Sequence, residues 1–155
     1  MDRAEAERRD RVVRAFFEGK DWDRNDEFLL KRLVVLNSRD WLPDHPFLVE
    51  DEWDVVPGRT DEGRGDLVFT DGDREYAVVE VKFIDLDGDG KRGSTKRGSN
   101  RKKRRAVEEQ AMTYAKKLYD RLGPTARIEA YSYTNERNGP FLEGLVSIEG
   151  VGVTH

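Results

Sequence analysis

Apolar positions along the chain follow two rhythms. Over residues 3–18, Val12, Val13, Phe16 and Phe17 fall at helical spacing, and Gly19 is placed to stop the helix. A second helix is predicted from Asn25 or Asp26, both good N-caps, to about Ser38. Leu29, Leu30, Leu33, Val34 and Leu36 give it a broad apolar face, expected to be buried. Pro43 and Pro46 then break the chain. Strands are predicted over 47–56, ended by Pro57-Gly58, over 66–70, and over 75–84, with Asp71-Gly72-Asp73 as a turn between the last two. Residues 85–100 are rich in glycine and charge and repeat KRGST as KRGSN, the composition of a flexible segment. A third helix is expected over about 104–122, with Val107, Ala111, Tyr114, Ala115, Leu118 and Leu122 on one face and Gly123-Pro124 ending it. Strands over 127–134 and 141–148 complete the order.

Helix, helix, three strands, helix, two strands predicts one α/β domain over 1–155, a central mixed sheet flanked by helices, with a flexible basic loop at about 85–103. With 155 residues the chain can bury a core without disulfides or structural metals. There are no cysteines, which removes thiolate metal sites, iron–sulfur clusters and cysteine nucleophiles together. The two histidines, His45 and His155, offer little support for multi-histidine catalysis, so carboxylates and lysines must carry any hydrolytic chemistry. No apolar run approaches a membrane span, and the first ten residues lack the apolar core of a secretory signal. An intracellular protein, cytoplasmic or nuclear, is expected.

Charge matters through its distribution. The net charge is −4, yet Lys91, Arg92, Lys96, Arg97, Arg101, Lys102, Lys103, Arg104 and Arg105 form a run with no acid among them. Such a run suits a phosphate backbone, although a solvated loop has the same composition. Its last five residues, RKKRR, also resemble a nuclear localisation signal. Asp85, Asp87 and Asp89 imitate the start of a calcium loop, but Lys96 stands where the loop needs a glutamate. Trp22, Trp41 and Trp53 are expected as core or rim residues.

The informative segment is GRGDLVFTDGDREYAVVEVKF. In the third strand Val79, Val81 and Phe83 share one face, and Glu80 and Lys82 share the other. Tyr76-Ala77-Val78-Val79 is apolar on both faces, as in a central strand. Two charges ending such a strand are costly to desolvate without compensation. A metal compensates a carboxylate, and a phosphate compensates a lysine. Asp66 opens the neighbouring strand and can approach Glu80 if the two pair antiparallel. A divalent cation would relieve their repulsion, and hard oxygen ligands suit Mg²⁺ or Mn²⁺. There is a condition. A two-residue Asp71-Gly72 loop would pair Thr70 with Asp73 and send Asp66 and Glu80 to opposite faces, so a longer loop or a bulge is required.

Gly65-Asp66 followed by Glu80-Val81-Lys82 resembles the signature of the PD-(D/E)XK nuclease superfamily, with Gly65 in place of its proline. Gln110 and Tyr114, one above the other on the third helix, resemble the QxxxY motif of its RecB-like branch. The resemblance covers roughly 47–134. It implies a restriction-endonuclease-like core in αβββαβ order and metal-dependent hydrolysis of phosphodiester bonds, with DNA the expected substrate. Asp66, Glu80 and the Val81 carbonyl would hold Mg²⁺ or Mn²⁺. Lys82 would assist attack, and Gln110 and Tyr114 would help hold the nucleic acid. Family members often add a helix-borne acid, for which Glu27 is the candidate because Leu30 and Val34 share its face. No target-recognition domain is visible, so a homodimer or larger complex could supply specificity. The alternative is a catalytically inactive nucleic-acid-binding or assembly module on the same fold.

Overall fold

The computed structural model describes residues 1–19, 25–87 and 95–154. Its elements are α1 (Arg3–Gly19), α2 (Asp26–Trp41), β1 (Phe47–Val56), β2 (Arg59–Thr70), β3 (Glu75–Lys82), α3 (Thr95–Leu122), β4 (Arg127–Thr134), β5 (Phe141–Ser147) and β6 (Gly150–Val153). The strands form one sheet in the order β1-β2-β3-β4-β5-β6. Every neighbouring pair is antiparallel except β3 and β4, which are parallel. Parallel neighbours need a crossover, and α3 supplies it.

Side-chain alternation splits the core into two layers. Tyr76 and Val78 of β3 pack with Val68, Ile128 and Ala130 beneath Ala111, Tyr114, Ala115 and Leu118 of α3. Ala77, Val79 and Val81 pack with Leu67 and Phe69 against Phe17 of α1 and Leu30, Val34 and Val35 of α2. The molecule is thus an α/β layered domain with a six-stranded mixed sheet between helices. Asn25 caps α2 through its side chain, accepting from the Glu27 and Phe28 amides at 3.1 and 3.2 Å. Buried Asp10 fixes α1 and α2 to the sheet, accepting from Leu48 N at 2.8 Å and pairing with Arg14 at 2.9 Å and Arg39 at 3.0 Å.

Four expectations need correction. The third helix begins at Thr95, so 95–103 is helix rather than part of a flexible basic loop. Gly98 and Ser99 disguised it, while tertiary contacts hold it: Lys96 pairs with Asp85 at 2.9 Å and buried Asn100 donates to Asp85 O at 2.7 Å. β2 begins at Arg59 rather than Asp66: its first half, charged, exposed and without apolar alternation, is held as strand by pairing with β1 from Val56↔Arg59 to Trp53↔Gly65. β6 went unpredicted, being a fully exposed four-residue edge. Leu29, Leu33 and Leu36 are 38%, 45% and 47% exposed, as α2 turns Leu30, Val34 and Val35 inward instead. Trp53 is buried and Trp41 packs against the α1/α2 core; Trp22 lies outside the described residues.

Candidate active site

The ladder between β2 and β3 runs from Thr70↔Tyr76 to Leu67↔Val79. The connection is therefore longer than two residues, and Asp71 Oδ1 organises it by accepting from Asp73 N at 2.8 Å and Glu75 N at 3.1 Å. This register satisfies the parity condition: the next partners along the ladder are Asp66 and Glu80. There the backbone ladder gives way to side chains. Asp66 N donates to Glu80 Oε2 at 2.8 Å, and Val81 N donates to Asp66 Oδ2 at 2.8 Å. Each carboxylate thus uses one oxygen to clasp the opposite strand.

Burial sets the electrostatics of this pair. Glu80 is 2% exposed. Desolvation, and then the neighbouring Asp66 charge, push its carboxyl well above the usual range. Burial likewise pushes Asp66 up to about 6, opposed by the Val81 amide and by Lys31, and reinforced by Glu27 and Asp51. Two acids that resist ionisation side by side form a site that a divalent cation would relieve.

The other expected residues converge here. Lys82 Nζ lies 3.0 Å from Glu27 Oε1, so the helix-borne acid meets the strand-borne lysine. Glu27 and Asp66 line one cleft together with Lys31, Asp51, Phe28 and Asn25. On α3, Gln110 Nε2 donates to Tyr114 Oη at 2.8 Å. The Tyr114 phenol lies within the fields of Glu80 and Asp66, and its pKa is raised, first by burial. Its ring packs edge-on against Trp53, with centroids 6.3 Å apart.

Two glycines make room for this packing. A Cβ at Gly65 would stand 2.2 Å from Trp53 Nε1, and one at Gly63, where φ is +109°, would stand 2.6 Å from Tyr114 Oη. The indole therefore accounts for a glycine, rather than a larger residue, before Asp66.

Sequence reasoning missed Lys31 and Asp51. Lys31 is 6% exposed, and its Nζ lies 2.5 Å from Asp51 Oδ1, bringing a buried cation beside Asp66. Its signal was available: Lys31 follows Glu27 by four residues, on the same side of α2.

The basic residues are arranged differently from a loop. Arg97, Arg101 and Arg105 recur every four residues along the start of α3, and Arg101, Lys102 and Arg105 are exposed. Arg104 is held by Glu136 at 2.8 and 2.9 Å, Lys96 is held by Asp85, and Lys103 is half-buried. Lys91 and Arg92 lie outside the described residues.

A Mg²⁺ or Mn²⁺ fits the donor chemistry of the carboxylate pair: two hard oxygens, each with its partner oxygen anchored by an amide. Glu27 does not close a compact trio with them. Among the described residues, the trio of ligand-type side chains with donor atoms within 4.8 Å of one another is His45, Glu75 and Glu129. Also among the described residues, no helix is long and apolar enough to cross a membrane. Comparisons with protein-family models, with curated proteins and with solved structures gave no match.

Proposed function

We propose that this protein is a divalent-metal-dependent nuclease with a restriction-endonuclease-like core of the PD-(D/E)XK kind. It would hydrolyse phosphodiester bonds, with DNA as the expected substrate. The observation that carries this reading is the reciprocal clasp of Asp66 and Glu80 at the end of a central strand, with Lys82 two residues beyond. Packing alone gives no reason to set a buried acid and a half-buried one side by side with charges that repel.

Asp66 and Glu80, with the Val81 carbonyl that the motif implies, would hold Mg²⁺ or Mn²⁺. When bound, the cation supplies Lewis-acid stabilisation of charge on the scissile phosphate. Lys82 exchanges its Glu27 partner for a phosphate oxygen and orients the attacking water. Glu27 holds the ammonium in place until substrate arrives. Gln110 fixes the Tyr114 hydroxyl, and this pair lines the approach from the α3 side. The exposed cations on the first turns of α3 hold phosphates of the bound strand.

The test is incubation of the full chain with linear and circular, single- and double-stranded DNA, and with RNA, in Mg²⁺ or Mn²⁺. A chelator arm and a Lys82→Ala arm run beside it. Cleavage that needs the cation and falls about 10²-fold or more in Lys82→Ala supports the reading. Binding without cleavage in any arm would favour an inert nucleic-acid-binding module.

A further inference from the structure

Glu75 opens β3, at the end remote from Glu80 and roughly 17 Å away along an extended strand. Beside it in the sheet, β4 carries Glu129 opposite Ala77. The connection between α2 and β1 brings His45 over both. His45 is 1% exposed, and its Nε2 is buried with no hydrogen-bond partner. Glu129 Oε1 lies 3.7 Å from it, too far for a hydrogen bond. A buried imidazole nitrogen thus faces the Glu129 carboxylate, with that of Glu75 close by, and its own bonding is unmet.

The outer oxygens of those carboxylates are already fixed. Tyr131 Oη donates to Glu129 Oε2 at 2.6 Å, and Arg127 Nη1 pairs with Glu75 Oε2 at 3.2 Å. That is the arrangement by which supporting groups orient metal ligands. One donor atom from each of His45, Glu75 and Glu129 lies within 4.8 Å of the others. A tetrahedral cation bonded at about 2.0–2.2 Å holds its donors about 3.4 Å apart, so small side-chain rotations close the set.

We propose that His45, Glu75 and Glu129 form a second metal site, distinct from the Asp66–Glu80 pair, that takes a first-row divalent cation of the zinc class. One imidazole and two carboxylates favour such an ion over Mg²⁺, which prefers oxygen alone. Three protein ligands leave a coordination position for water. The ion ties the α2–β1 connection to β3 and β4, so its direct effect is on stability.

The test uses the full chain stripped of metal and titrated with Co²⁺ in excess Mg²⁺, which occupies the Asp66–Glu80 pair. Calorimetry and the visible absorption of the cobalt ion are the readouts. One equivalent should bind, be displaced by Zn²⁺, and persist in Asp66→Asn/Glu80→Gln. It should be lost in His45→Gln and in Glu75→Gln, whose far-ultraviolet circular dichroism reports the fold. Zn²⁺ should raise the melting temperature of the parent but of neither variant. No cobalt binding to the parent in excess Mg²⁺ would overturn the proposal. So would full binding retained in a folded His45→Gln or Glu75→Gln chain. Because Asp66→Asn/Glu80→Gln leaves this trio intact, failure here is separable from failure of the nuclease reading.

Discussion

Glu80 is the residue where folding and function oppose each other most sharply. Its carboxyl is buried beside Asp66, and both groups hold their protons more tightly in the folded chain than in the unfolded one. The sign follows from linkage. A folded-state pKa raised above the unfolded value stabilises the protonated form. The contribution of this pair to the metal-free fold is therefore fully present in acid; it is lost as pH rises past the ordinary 3.8 toward about 6 for Asp66, and as pH rises above the ordinary 4.5 for Glu80. Glu80→Gln keeps an acceptor for the Asp66 amide and removes the charge. In chelator at pH 8 it should melt above the parent, with the gap shrinking toward pH 4, while cleavage is lost. A melting temperature lowered at pH 8 would mean that the charge is already compensated within the protein. Gly65 is a second residue-scale test. Gly65→Ala places a methyl against Trp53 and should lower the unfolding free energy by about 1–3 kcal/mol in denaturant melts.

Among the elements, α3 separates what the sequence displayed from what it hid. Its latter half was legible, because Ala111, Tyr114, Ala115 and Leu118 share one face packed in the core, and Val107 at helical spacing before them is buried too. Its first turns were not. Thr95, Gly98 and Ser99 favour loops locally, and the contacts of Lys96 and Asn100 with Asp85 are tertiary. Gly98→Ala discriminates between the two descriptions. A helical Gly98 with nothing within 4 Å of a new Cβ should gain about 0.5–1 kcal/mol on substitution, whereas a flexible loop should gain little. The same turns present Arg101 and Arg105 on one side. Replacing both by alanine should weaken duplex DNA binding and flatten the slope of log K against log salt by about 2. An unchanged slope in filter binding would remove these residues from the interface.

Across the whole molecule, the α/β layering was readable from helical and alternating apolar periods, and so was the central place of β3, apolar on both faces from Tyr76 to Val79. The approach of Asp66 to Glu80 was readable only as a condition on the connecting loop, because register depends on how many residues turn the corner. The Lys31–Asp51 pair and the His45 cluster were not readable. They join residues 20, 30 and 84 positions apart through the packing of α2 on the sheet. Global stability should also report the cation. Mg²⁺ or Mn²⁺ should raise the melting temperature more at pH 8 than at pH 5, where protons already neutralise the pair. Equal shifts at both pH values would place cation binding elsewhere.

The central claim is that the clasped carboxylates and Lys82 together cut a phosphodiester bond. Single-turnover cleavage of end-labelled linear DNA in Mn²⁺ tests it most directly, with the parent chain beside folded Glu80→Gln and Lys82→Ala variants. The parent should cleave and stop on addition of chelator, and each variant should fall by about 10²-fold or more. Parent-like rates in either folded variant, or cleavage that survives the chelator, would contradict it.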